Sequence, residues 1–292
     1  MTAPEIPEGA NPAATVGSLV NTPAAYDELA RRIRRHVLLM THRAKASHVG
    51  SSLSMAELLA VLFGGVLRID PQQPRRSDRD RFVLSKGHAC AGVYAALAER
   101  GFFPLSWLET FCGDGSPLVG HITHGRVPGV EVSTGSLGHG LSIASGMALV
   151  AKRDTRPYRV FALLSDGECD EGSTWEAALF APQHRLDNLV AIVDYNKIQS
   201  LGTVKEVLDL EPLAAKWEAF GWATREIDGH ASAEIERALT EVPLRKGRPT
   251  CVIAHTVKGK GVGFMENRLL WHYRSPSAEE LEQALADLDG SA

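Results

Sequence analysis

Tyr158-Arg159-Val160-Phe161-Ala162-Leu163-Leu164-Ser165-Asp166-Gly167 decides the fold. The apolar run from Tyr158 to Leu164 lacks a polar alternate residue over most of its length, so it reads as a strand buried on both faces. Leu189 to Asp194 and Thr250 to Thr256 are two more such runs, and Arg81 to Ser85 is a shorter strand. Helical patterns lie around them. Leu29, Ile33, Val37 and Met40 recur at helical spacing, with Arg31, Arg32, Arg34 and Arg35 between them as a solvated charged face. A second helix is expected from Ser54 to Phe63, with Ser54 as N-cap and Glu57 at capping-box spacing. Others run from Gly87 to Arg100, where Gly101 stops the helix, from Leu141 to Lys152, and from Trp175 to Ala181. Ser275 to Leu288 reads as a capped acidic helix, and Leu118 to Glu131, rich in Gly, His and Pro, as a loop. Apolar strands alternating with helices predict an α/β fold, a mostly parallel sheet with helices on both faces.

The 292 residues fit one large α/β domain or two small ones, and 44% hydrophobic with 23% charged residues allow a globular core. A formal charge of −4 gives no basic face for nucleic acid, and no Lys/Arg block suggests one. No apolar run reaches membrane-spanning length, and Met1 to Pro23 has no secretory pattern. The cysteines Cys90, Cys112, Cys169 and Cys251 form no C-x-x-C pair, which suggests free thiols in a reducing cytoplasm. The expected organisation is a disordered tail over residues 1–24, a domain over 25–275, and a C-terminal helix and tail over 276–292.

Asp166 and Asn196 both fall just past the C-terminal ends of predicted buried strands, where open α/β sheets bind ligands. Their separation, 196 − 166 = 30 residues, leaves room for one helix and the return strand. An Asp carboxylate, an Asn carbonyl and a main-chain carbonyl suit a hard cation, and Gly167 lets a diphosphate approach the backbone. The bland alternative is an Asp-Gly turn and an unrelated Asn.

With Asn196 inside Val193-Asp194-Tyr195-Asn196-Lys197-Ile198, the pattern resembles the thiamine diphosphate motif, with Ser165 in place of its first Gly. Further motifs follow in the order seen in transketolases. They are Ser47-His48 through Ser54, Leu84-Ser85-Lys86-Gly87-His88-Ala89, Gly120-His121, and Pro128 through Gly135-Ser136-Leu137-Gly138-His139-Gly140. After them come Asp170-Glu171-Gly172 and Val257-Lys258-Gly259-Lys260-Gly261 through Trp271-His272. Gly259-Lys260-Gly261 lacks the spacing of a nucleotide phosphate loop.

The transketolase resemblance implies a thiamine-diphosphate-binding fold and two-carbon ketol transfer from a ketose phosphate to an aldose. It implies a metal, Mg²⁺ or else Ca²⁺ or Mn²⁺, on Asp166, Asn196 and the Ile198 carbonyl. Asp166, Gly167, Asn196, His88, His272, Gly135, Ser136 and Leu137 would hold the cofactor. His48, His121 and His272 would be catalytic, as would Glu171, placed by resemblance at a subunit interface beside the activating glutamate of another domain. His36, His42, His184, His230 and His255 are read as structural; His124 and His139 are left without a role. Tyr273 stands where many relatives have Gly, which bears on how His272 is set.

The pyrimidine-binding domain of full-length transketolases is not in this sequence. The expectation is therefore a split enzyme whose partner is a C-terminal transketolase subunit, in an α₂β₂ heterotetramer. The sugar itself, common or specialised (sulfosugar, branched or antibiotic sugar), is left open. Two rivals are the α subunit of a 2-oxo-acid dehydrogenase, which shares the metal motif but not His48, His88 and Trp271-His272, and a non-catalytic cofactor-binding scaffold.

Overall fold

The computed structural model describes residues 22–290. The expected N-terminal tail therefore lies almost wholly outside the described residues. The first helix, α1 (Pro23–Ala44), begins at a proline suited to a first turn, with Thr22 as N-cap.

Five strands form one parallel sheet: β1 (Arg81–Leu84), β2 (Val160–Ser165), β3 (Leu189–Tyr195), β4 (Ala223–Asp228) and β5 (Thr250–His255), in the order β1-β2-β3-β5-β4. Because side chains alternate along each strand, the sheet feeds two cores. Phe161, Leu163, Val190, Ile192 and Val252 point into one. It is closed by α1, α2 (Val49–Leu53), α3 (Ala56–Val61), α4 (Cys90–Glu99) and a later helix, Ser232–Thr240. Ala162, Leu164, Ala191, Val193 and Ile253 point into the other, under α5 (Gly140–Arg153), α6 (Gly172–Gln183) and Leu213–Ala219. The sheet and its two covered faces are as the sequence predicts. In chain order the remaining helices are α7 (Val204–Val207), α8 (Leu213–Ala219), α9 (Ser232–Thr240) and α10 (Ala278–Gly290). No helix of the described residues is long and apolar enough to cross a membrane.

Two local expectations are corrected. Ser54 does not cap a helix: its hydroxyl is buried and donates to Asp194 Oδ2 at 2.6 Å, a longer-range bond that outcompetes the local cap. The arginine run is not wholly solvated. Arg31, Arg32 and Arg35 pair at the surface, but Arg34 is buried, its guanidinium 2.5 Å from Glu57.

Candidate active site

The site lies at the C-terminal edge of the sheet, where loops leaving β1, β2, β3 and β5 meet. Asp166 follows β2 directly and is buried. Its Oδ1 accepts the Gly167 N–H at 2.7 Å and its Oδ2 the Lys197 N–H at 2.7 Å. Burial, and then the charge of Asp194, push its carboxyl up to about 6. Asn196 begins the turn after β3, and its Oδ1 accepts the Ile198 N–H at 3.1 Å. The turn carrying Asn196 and Ile198 thus wraps the Asp166 carboxylate. A Cβ at Gly167 would meet only the Gln199 side chain, at 3.4 Å. That is an ordinary van der Waals distance, so protein packing alone does not demand a glycine here.

Four histidine rings gather beside this turn. His48 lies 4.9 Å from His88, 5.1 Å from His272 and 6.1 Å from His121, centroid to centroid, and His88 lies 5.9 Å from His272. The rings come from residues 48 to 272, and the backbone ties the extremes together: the His48 N–H donates to the His272 carbonyl at 2.9 Å. His48 has φ 69°, a left-handed conformation uncommon for a non-glycine residue and frequent at functional sites. Burial, then the charges of His121 and Lys258, hold His48 down at about 4; burial, then Lys258, holds His272 at about 3. Burial also pushes His88 well below the usual range. Neutral imidazoles at physiological pH can each donate and accept a proton. Tyr273 lies against His272, with ring centroids 5.0 Å apart, while its exposed side chain donates its hydroxyl to the Ser200 carbonyl.

The glycine segment lies alongside. Gly135 sits against the His121 ring, 3.1 Å from where its Cβ would be, and Gly135 and Ser136 are exposed, Leu137 half-buried. Gly138 has φ 82°, and a Cβ there would strike Ser173 and the Glu171 side chain, so Glu171 borders this segment at the exposed start of α6. His124 is turned into its own loop, toward the Val130 carbonyl at 3.1 Å, and His139 toward the Leu137 carbonyl at 3.1 Å. Neither ring joins the four-histidine group.

Three charged residues are central to the geometry, although the sequence marks them only as members of motifs. Lys86, fully buried, pairs with Asp194 and donates to the Ser51 carbonyl at 3.0 Å. Asp194 also accepts hydrogen bonds from Ser54 and Thr256, which stitches β3 and β5 to the first histidine segment. An Asp ending an otherwise apolar strand was the available signal. Lys258 is buried, and burial pushes it down to about 8. Its Nζ donates to the Ile198 carbonyl at 2.8 Å and lies 3.0 Å from His272 Nδ1. It therefore joins the Asp166–Asn196 turn to the histidines. A fourth, Glu168, is buried with its Oε1 taking the Gly138 N–H at 2.8 Å and the Ser85 hydroxyl, so it holds the glycine segment to β1.

A model of the family described as "Transketolase, thiamine diphosphate binding domain" matches residues 26–288. An apulose-4-phosphate transketolase subunit from Phocaeicola vulgatus is 42% identical over 87% of this chain and 90% of its own. The 6-deoxy-6-sulfo-D-fructose transketolase subunit SqwG of a Clostridium species is 43% identical over 88% and 94%. The crystal structure of transketolase from Campylobacter jejuni superposes with a TM-score of 0.86 at 31% identity, covering 91% of this chain and 43% of that one. The chain thus spans about two fifths of the full-length enzyme and nearly all of the proteins named as subunits. With a parallel sheet of this order, a strand-end Asp166–Asn196 turn and a histidine group joined to it by Lys258, the chain belongs to the transketolase family and carries its thiamine diphosphate binding domain.

Proposed function

We propose that the chain is the diphosphate-holding subunit of a two-component transketolase, moving a two-carbon ketol unit from a ketose phosphate to an aldose. The observation that carries this is the Lys258 bridge between the Ile198 carbonyl and His272, because it puts anion-binding groups and proton carriers in one cleft. Among the described residues no three His, Cys, Asp or Glu side chains gather as a metal site. A cation here would therefore rest on Asp166, the Asn196 amide oxygen and the Ile198 carbonyl, with the diphosphate supplying further oxygens; that set suits Mg²⁺, or Ca²⁺ or Mn²⁺. The open face of Gly167 would admit the diphosphate, and the Lys258 ammonium would meet its charge.

Thiamine diphosphate supplies the carbanion chemistry when bound. The protein's own groups orient and move protons. The rings of His48, His121 and His272 would donate to the substrate's carbonyl oxygen as charge develops there, and take protons from its hydroxyls. His88, Gly135, Ser136 and Leu137 would line the cofactor. Glu171, exposed at the rim, would face the partner's activating carboxylate.

A partner is needed because, by the family resemblance, the activating carboxylate belongs to a pyrimidine-binding domain. Support comes from relatives named as subunits, matched over 90% and 94% of their length. Further support comes from an apolar face next to the glycine segment. Ile143 and Val150 on α5, and Leu179 (61% exposed) and Phe180 on the adjoining α6, are uncovered. We assign this face to a C-terminal, pyrimidine-binding subunit in an α₂β₂ assembly, and place the protein in the cytoplasm, where its free thiols stay reduced. The sugars of the named relatives, an apulose phosphate and a sulfofructose, make specialised sugars reasonable candidates here. The test is to offer the assembled protein ketose phosphates and 2-oxo acids in parallel and follow two-carbon transfer. We expect transfer from the ketose; decarboxylation of 2-oxo acids alone would favour the dehydrogenase reading.

A further inference from the structure

His230 lies outside the cleft, in the turn after β4, and its ring makes two hydrogen bonds of opposite sense. Its Nε2 is 2.8 Å from the Val257 main-chain nitrogen, which can only donate, so Nε2 accepts. The ring proton of the neutral imidazole must then sit on Nδ1, which donates to Glu57 Oε2 at 3.0 Å. Glu57 is buried on α3, and Arg34, also buried, reaches the same oxygen at 2.5 Å. Although burial raises the Glu57 carboxyl, the Arg34 charge and these bonds bring it down to about 2. Acceptor, donor and counter-charge thus form a closed chain from α1 through α3 to the loop after β5.

That chain ends one residue from Lys258. The same loop is pressed from the β4 side: the Gly229 N–H donates to the His255 carbonyl at 2.9 Å, and a Cβ at Gly229 would lie 2.4 Å from Thr256 Cγ2. On the other side the Gly259 N–H donates to the Gly50 carbonyl at 3.1 Å, and a Cβ at Gly50 would lie 3.1 Å from Lys258 Cγ. Lys258 therefore leaves a backbone fixed on both sides, and only one direction of its stem reaches the Ile198 carbonyl and His272.

We propose that His230 is a positioning residue of the active site: through Val257 it sets the backbone from which Lys258 reaches the metal–diphosphate turn and His272. The proposal rests on Lys258 meeting the diphosphate, as proposed for the function. His230 itself touches neither cofactor nor substrate. Its part is to accept one N–H in one tautomer, which Glu57 and Arg34 enforce, much as outer groups orient the direct ligands of metal sites.

A double-mutant cycle separates this from a merely structural role. The dissociation constant of thiamine diphosphate with Mg²⁺ is measured by calorimetry on the full chain with its partner subunit, for wild type, His230→Leu, Lys258→Met and the double variant. We expect Lys258→Met and His230→Leu each to weaken binding about 10-fold or more, the range found when outer-shell partners of metal ligands are lost. On the Lys258→Met background His230→Leu should add nothing, because its effect runs through Lys258. His230→Gln, whose amide can still accept from Val257 and donate to Glu57, should recover most of the loss. If His230→Leu does not fold, Glu57→Gln serves in the same cycle, with a smaller loss that also vanishes without Lys258. Equal losses in both backgrounds, or none in either while Lys258→Met still weakens binding, would overturn the positioning role. No effect of Lys258→Met would instead sink the underlying reading of Lys258.

Discussion

Asp166 accepts two main-chain N–H bonds and forms no salt bridge among the described residues, so the Lys258 ammonium offsets its charge only without direct contact. A hard cation would meet it. Asp166→Ala is expected to weaken Mg²⁺-dependent binding of thiamine diphosphate by more than the 10–100-fold typical of outer-shell losses, with far-UV circular dichroism unchanged. Unaltered affinity in calorimetry would remove Asp166 from the metal site. His272→Ala should slow ketol transfer about 10²–10⁴-fold, the range for one general acid or base, and weaken Mg²⁺ binding far less. The neutral rings also give a pH signature. In the folded chain His48 sits at about 4 and His272 at about 3, against 6.5 for an ordinary imidazole. Below 6.5 the unfolded chain binds protons that the folded rings refuse, so this contribution is full above about 6.5 and falls as pH drops toward 4. Asp166, raised to about 6, acts in the opposite sense, so the signature lies in the difference between wild type and His48→Asn. We expect the gap in melting temperature to shift steadily in the variant's favour from pH 7 to pH 4.5; a constant gap would mean that His48 titrates normally. At this scale the histidines were legible because they stand in Gly- and Ser-rich turns. Lys86 and Lys258 were not, because a buried lysine shows only once the groups that pair with it are placed.

Most elements were legible where burial is two-sided. β2, β3 and β5 are mostly apolar and almost wholly buried, and could be read directly. β4, with the sequence Ala-Thr-Arg-Glu-Ile-Asp, was not: it is an edge strand, half-buried to exposed along most of its length, and its polar residues hide its pairing with β5. The helix expected from Ser54 forms, as α3, but its Ser54 cap does not, because a side chain that can cap locally finds a buried carboxylate instead. Two elements carry tests. Gly87, which opens the short turn bearing His88, lies so close to Thr134 that a Cβ would sit 2.5 Å from its carbonyl carbon. Gly87→Ala should therefore displace His88 or the glycine segment, and a crystal structure of the variant would show which. On α6, Leu179→Arg changes a side chain that is 61% exposed. It should leave the melting temperature of the isolated chain unchanged and weaken binding of the partner by about 10-fold or more, as expected when a charge is buried unpaired at an interface. Undiminished association in analytical ultracentrifugation would move the docking face elsewhere.

At the scale of the whole molecule, the fold brings to one sheet edge residues separated by up to 272 − 48 = 224 positions. The order of motifs along the chain anticipates that gathering, but only the parallel sheet explains it, since every strand delivers its C-terminal loop to the same side. The gathered groups are the ones proposed to bind a diphosphate and carry protons. The activating carboxylate proposed for the partner would complement them. The most direct measurement is two-carbon transfer from a ketose phosphate to an aldose, with Mg²⁺ and thiamine diphosphate present. It is made on the purified chain, on its pyrimidine-binding partner, and on their mixture. We expect no transfer from either alone, transfer on mixing, and its loss when the chain carries Asp166→Ala. Steady turnover by the chain alone, or a mixture as active with Asp166→Ala as without it, would contradict the account.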